Sequence, residues 1–287
     1  MRALHGIHTA LITPFTDDDA VDWDAFAALV QRQLDGGIHG LVPCGTTGET
    51  PTLTQDEVDG VIRATVEIAA GTVPVTAGVG ANSTKLAVQN TERVAKLGVD
   101  AGLLVFPWYN KPNPDGLRAH VRAVAAVGLP IVLYHVPGRT AQHLPASLLG
   151  ELCEIDGVAG VKEATGDVSY GTDLMLATSR PVFSGDDFTF LGLLAQGGAG
   201  CTSVVSNLDP AGTVAVYDHF RAGRNAEARA AMHRLFPLVR YLFSEVSPVP
   251  AKAAMAAMGL CRPHPRLPLA PSTRPAPTPL LAALGLL

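Results

Sequence analysis

The run GVAGVKEATGD, Gly157–Asp167, is where the fold becomes readable. It starts as a short segment of small apolar residues, the form of a parallel strand buried on both faces, and closes on a Gly-Asp turn signal. Inside it stands Lys162, in a chain where most of the 21 basic residues are arginine. A doubly covered strand has no ordinary use for a charge. Seven further runs share the form: GIHTALITPF, GLVPCGTTGE, PVTAGVGAN, AGLLVFPWY, PIVLYHVPGRT, PVFSGDD and CTSVVSN. Each is short, apolar and ended by Gly, Pro, Asn or Asp.

Longer amphipathic stretches separate these runs. DWDAFAALVQRQLDGG carries an early Asp, apolar residues at helical spacing and a glycine stop. TQDEVDGVIRATVEIAAG begins at a Thr cap with acids in its first turn. STKLAVQNTERVAKLG and DGLRAHVRAVAAVG repeat the logic. Eight βα units in 287 residues predict an α/β fold, a (β/α)8 TIM barrel with a C-terminal helical extension. An open doubly wound sheet is the rival, and no GxGxxG follows the first strand to support it. The barrel is expected over residues 1–210, with C-terminal helices and a proline-rich tail over 211–287. The tail ends in LLAALGLL, so an arm packed on the barrel or on a partner subunit is expected rather than a free linker.

Composition narrows the function. Apolar residues make up 47% and charged residues 16%, with a net charge of -5. No basic run suggests nucleic acid or an anionic membrane surface. The longest apolar stretch, Ala123–Tyr134, is interrupted by Gly128 and Pro130 and is too short to span a bilayer. The start MRALHGIHTALITPF lacks the apolar h-region of a signal peptide, and a cytoplasmic protein is expected. Cys44, Cys153, Cys201 and Cys261 form no CxxC pair and are expected as free thiols. The nine histidines show no HxH or HExxH grouping, so no metal and no cofactor are expected.

Barrel active sites lie at the C-terminal ends of the strands. Those ends carry Thr46 and Thr47 in GTTGE, Trp108 and Tyr109 in FPWYN, Tyr134 and Arg139 in YHVPGRT, and Lys162. If Lys162 points inward, parity turns Val158, Gly160 and Ala164 inward too, with Gly160 leaving open volume beside the amine. The same parity turns Val132, Tyr134 and Val136 inward on the preceding strand. An amine and a phenol then converge. Desolvation disfavours a charged amine, and a neutral amine attacks a ketone to form a Schiff base. A neighbouring phenol shuttles protons. Arg139 suits a carboxylate, and the GTTG backbone N–H groups with the two hydroxyls suit another. The alternative for Lys162 is a structural ion pair. Glu163 is a poor partner, being on the opposite face, and Asp186 or Asp187 is a better one. His135 is expected to face away from the cavity in a structural role.

These motifs, in this order and spacing, resemble the dihydrodipicolinate synthase and N-acetylneuraminate lyase family of class I aldolases. The similarity runs from ALITPF at Ala10 to RLPLAP near Leu267. Arg139 and the SPVPAK segment, Ser247–Lys252, resemble the synthase branch. The resemblance implies condensation of pyruvate with L-aspartate 4-semialdehyde in lysine biosynthesis. It implies a Schiff base on Lys162, and a proton relay of Tyr134, Thr46 and Tyr109, with Tyr109 reaching from a neighbouring subunit of a homotetramer. Thr47 would help hold the pyruvate carboxylate and Arg139 that of the semialdehyde. Gly185 and Thr202 complete the expected substrate-binding set. A pyruvate aldolase for a sugar-acid aldehyde, or a non-catalytic carboxylate-binding barrel, remains the alternative.

Three departures from the family pattern stand out, the third at a pair of positions. His135 stands where the family usually has Asn, and Trp108 where it commonly has Tyr. Val58 and Leu86 replace the His and Glu of lysine-inhibited members, although Asn82 remains. Weak or absent lysine inhibition is therefore expected.

Overall fold

The computed structural model describes residues 4–287. Eight strands occur among them, one in each apolar run of the sequence. They are β1 (Gly6–Ala10), β2 (Gly40–Val42), β3 (Thr76–Gly78), β4 (Ala101–Val105), β5 (Ile131–His135), β6 (Val158–Glu163), β7 (Val182–Ser184) and β8 (Gly200–Ser203). The intervening helices are α1 (Trp23–Asp35), α2 (Gln55–Ala69), α3 (Thr84–Ala95), α4 (Pro114–Ala125), α5 (Pro137–Thr140), α6 (Ala146–Cys153), α7 (Val168–Ala177) and α8 (Phe190–Ala195). After β8 come α9 (Pro210–Arg221), α10 (Asn225–Leu242), α11 (Val249–Ala257) and α12 (Thr278–Ala283). The strand order is β2-β1-β8-β7-β6-β5-β4-β3, and the architecture is the expected (β/α)8 barrel fold with added C-terminal helices. No helix among the described residues is long and apolar enough to cross a membrane.

The chain divides into two compact units: Pro74–Thr202 together with the residues up to Gly6, and Ile7–Val73 with Ser203–Leu287. In the first, β3 through β8 pair in parallel register. Every residue of β5 and β6 is buried, which is why both read as continuous apolar runs. The helices begin where the sequence places caps. Asn113 accepts from the Gly116 N–H ahead of α4, and Asp167 from the Ser169 N–H ahead of α7.

In the second unit, Asp22 caps α1, and Thr54 with Glu57 forms a reciprocal capping box on α2. Asn207, in the turn after β8, ties this unit together. Its side-chain amide donates to the Ala10 carbonyl at 2.8 Å, and its oxygen accepts from the Ile12 N–H at 3.2 Å. The C-terminal tail is ordered against the same unit. His264 Nε2 lies 2.8 Å from the Thr16 carbonyl oxygen, Arg262 pairs with Asp17 and Asp22, and Arg266 pairs with Glu57. Leu281 on α12 is fully buried, worth about 2 kcal/mol of apolar transfer. The tail is thus an arm packed on its own chain.

His135 faces away from Tyr134, as parity requires. It lies among Phe106, His143 and Tyr170, with ring centroids 6.2, 5.8 and 5.6 Å away. The Tyr170 hydroxyl donates to the Leu144 carbonyl at 2.8 Å. Both His135 ring nitrogens are buried without a hydrogen-bond partner among the described residues. Burial first, and the His143 charge second, hold His135 down at about 4, below its ordinary 6.5. The unfolded chain then binds a proton that the folded one refuses, so stability falls as pH drops from 6.5 towards 4. The full effect is on the order of 3 kcal/mol. His135→Asn should lose visibly less stability than the wild type between neutral pH and about pH 4.5, measured by denaturant unfolding. Parallel curves for the two proteins would remove His135 as the source.

Candidate active site

In the Pro74–Thr202 unit, β5 and β6 pair so that Tyr134 lies opposite Lys162, and His135 opposite Glu163. The first pair shares one face and the second the other. The Lys162 amine sits 4.2 Å from the centroid of the Tyr134 ring. Both side chains are only 6% exposed. Among the described residues Lys162 has no ion-pair partner. The structural alternative, a salt bridge to Asp186 or Asp187, is not formed. Asp186 instead accepts from the Phe188 N–H at 2.8 Å. Burial raises its carboxyl, and the charge of Lys162 only partly opposes this.

Glu163, directly after Lys162, is buried on the opposite face. It accepts a close hydrogen bond from the Thr165 N–H, and burial pushes its carboxyl up. It serves the turn that follows β6 rather than the amine.

The glycine that makes room for the lysine is Gly185, not Gly160. A side chain at Gly160 would point at the Pro181 carbonyl, 3.0 Å away, so this glycine permits close strand packing. A side chain at Gly185 would stand 2.8 Å from Lys162 Cε and 3.0 Å from its Cγ. Parity alone missed this. Gly185 follows β7, the next strand along, so the alternation within β6 says nothing about it. A glycine immediately after an apolar run was the available signal.

The other expected residues of this unit are spread over its strand ends. Thr202 is buried on β8. Arg139 is the third residue of the single turn α5 that follows β5, and its side chain is exposed. Tyr109 follows β4 with a left-handed backbone, φ 70°, and is 90% exposed. That conformation is an outlier for an aromatic residue. The Tyr109 ring therefore stands out from its own chain instead of packing into it.

In the Ile7–Val73 unit, β2 runs into a tight turn carrying Thr46 and Thr47. The turn is a 3-10 helix, Thr46–Gly48, closed by Gly48 N–H to Gly45 O and Glu49 N–H to Thr46 O, both at 3.1 Å. Cys44 and Glu49, on either side, both have φ 54°, a left-handed conformation that is uncommon for residues other than glycine. Gly48 is needed because a side chain there would meet the Leu11 carbonyl at 3.2 Å and Thr13 Oγ1 at 3.4 Å. Thr13 in turn donates to the Gly48 carbonyl at 2.8 Å. Neither the Thr46 nor the Thr47 hydroxyl is engaged by another described residue, and Thr47 is buried. Both remain available to a ligand.

No group of three or more His, Cys, Asp or Glu side chains among the described residues is placed to hold a metal ion. The chemistry on offer is that of an unpaired buried amine against a phenol. Such a pair suits imine formation with a ketone, followed by proton transfers.

Known proteins match along the whole chain. The Dihydrodipicolinate synthetase family matches residues 3–284. The 4-hydroxy-tetrahydrodipicolinate synthase of Hyphomonas neptunium is 47% identical over 287 residues, covering 98% of each chain. The dihydrodipicolinate synthase of Acinetobacter baumannii, solved in complex with pyruvate, superposes with a TM-score of 0.96 at 37% identity, over 99% of this chain and 100% of that one. The enzyme of Cyanidioschyzon merolae, solved with lysine bound, gives 0.93 at 36% identity and 99% coverage of both chains. With an unpaired lysine on the sixth strand, a tyrosine in register on the fifth and similarity of this extent, the chain belongs to the dihydrodipicolinate synthetase family.

Proposed function

We propose that this chain condenses pyruvate with L-aspartate 4-semialdehyde to 4-hydroxy-tetrahydrodipicolinate through a Schiff base on Lys162. The observation that carries the reading is the buried Lys162 amine against the Tyr134 ring, without a carboxylate partner among the described residues. Family membership gives that amine its substrates.

The steps balance without an added oxidant or reductant. Lys162 Nζ adds to the keto carbon of pyruvate, and water leaves to give an iminium. The iminium draws electrons from the adjacent methyl, which loses a proton and forms an enamine. The enamine carbon attacks the aldehyde and forms the new carbon–carbon bond, and the resulting alkoxide takes up a proton. The amino group of the semialdehyde then attacks the iminium carbon. Lys162 leaves as the free amine and the ring closes. One water is released overall.

We assign the proton transfers to Tyr134, Thr46 and Tyr109. Thr47 is assigned to the pyruvate carboxylate, and its unengaged hydroxyl supports this. Arg139, whose exposed guanidinium suits a charge arriving from solvent, is assigned to the semialdehyde carboxylate. Gly185 and Thr202 line the pyruvate side. The strained, exposed Tyr109 supports a homotetramer, a dimer of dimers, in which this ring completes a neighbouring subunit's site. The barrel proper spans residues 1–210, with 211–287 as a supporting extension.

Borohydride added with pyruvate should leave an irreversible adduct on Lys162, read by peptide mass spectrometry. No adduct at that residue would sink the reading. Gly185→Ala, which presses on the lysine arm, should slow adduct formation while pyruvate remains the trapped ketone. Val58 is apolar and buried on α2, and Leu86 is apolar and exposed on α3. Neither holds an ammonium group, so millimolar lysine should leave the steady-state rate nearly unchanged. Potent inhibition would overturn that expectation.

A further inference from the structure

A second buried lysine lies in the Ile7–Val73 and Ser203–Leu287 unit. Lys252 on α11 is fully buried and forms a close ion pair with Glu49, which is also buried. Its ammonium sits 3.9 Å from the centroid of the Phe15 ring and donates to the His264 carbonyl at 3.3 Å. The Arg266 guanidinium lies 4.3 Å from the same ring. The Arg266 backbone N–H donates to the second Glu49 oxygen at 2.9 Å. The Arg266 side chain is itself held by Glu57 at 2.6 and 2.8 Å, and by the Thr52 carbonyl at 3.0 Å. Both oxygens of Glu49 are thus gripped from the C-terminal extension, one by a charge and one by a backbone donor.

Glu49 is also the residue on which the Thr46–Thr47 turn closes. Its N–H reaches back to the Thr46 carbonyl, and its left-handed backbone sets the direction in which the chain leaves the turn. Such a backbone persists only where its surroundings over-determine it. A buried ion pair is a poor device for stability alone, because a well-packed apolar pair of similar volume often serves as well or better. Its use is in holding one geometry.

We infer that Glu49, Lys252 and the Arg266 backbone are positioning residues for pyruvate binding. They act through the Thr46–Thr47 turn, so the C-terminal extension sets the pocket for the pyruvate carboxylate. The inference rests on the assignment of Thr47 to that carboxylate.

The test uses the full chain and four proteins: wild type, Thr47→Val, the near-isosteric neutral pair Glu49→Gln with Lys252→Met, and Glu49→Asp. Thr47→Val should raise the KM for pyruvate by about tenfold. The neutral pair should melt within a few degrees of wild type and still give the borohydride adduct at saturating pyruvate. Its KM for pyruvate should nonetheless rise at least about fivefold, with the KM for the semialdehyde within about twofold. A wild-type pyruvate KM in the folded neutral pair, beside a raised one in Thr47→Val, overturns the positioning role and leaves the catalytic reading standing. An unchanged KM in Thr47→Val removes the Thr47 assignment and the inference with it. Should the neutral pair fail to fold, Glu49→Asp decides. It keeps the charge but shortens the arm by one methylene, and a wild-type KM for pyruvate there overturns the inference.

Discussion

The register of β5 against β6 is the constraint on which the chemistry depends. Side chains alternate along a strand, so a single pairing choice fixes two environments at once. With Tyr134 opposite Lys162 on one face, His135 and Glu163 must share the other. The same step that brings a phenol to an amine buries an imidazole and a carboxyl behind them. Those two are accommodated differently. Glu163 is bonded to the next turn, whereas His135 is packed among aromatic rings and kept neutral by burial. A slip of one residue would exchange the faces and destroy the site and the packing together.

The two buried lysines show how one side chain serves opposite ends. Among the described residues Lys162 has no counter-ion, it lies against a π-face, and Gly185 leaves space along its arm. Lys252 lies against Phe15 in a similar way but is paired with Glu49. Burial pulls its ammonium towards neutrality, and the Glu49 charge pulls it back. One amine is left without an ion-pair partner among the described residues. The other is committed to holding a turn.

Much of this was legible in the residues. The eight strands coincide with the eight apolar runs because parallel strands covered on both faces must be apolar nearly throughout. The starts of α1 and α2 follow from Asp22 and Thr54, whose side chains satisfy N–H groups that a helix leaves open. Parity paired Tyr134 with Lys162 and set His135 behind them. The same rule misjudged Gly160, because whether a glycine opens a cavity or lets backbones approach depends on its neighbour, here Pro181. GTTGE and SPVPAK were each visible as motifs. That Glu49 of one grips Lys252 of the other was not, since about 200 residues separate them and no local period links them.

By itself, then, the sequence determined the (β/α)8 plan, the strand that carries Lys162 and the residue types at the strand ends. These follow from period, capping and burial, which act over a few residues. The tertiary structure decided which lysine has a counter-ion, which glycine leaves space along the Lys162 side chain and what holds the Thr46–Thr47 turn. Each of these depends on a neighbour distant in the chain, and an electrostatic or steric contact has no meaning until folding has set the distance.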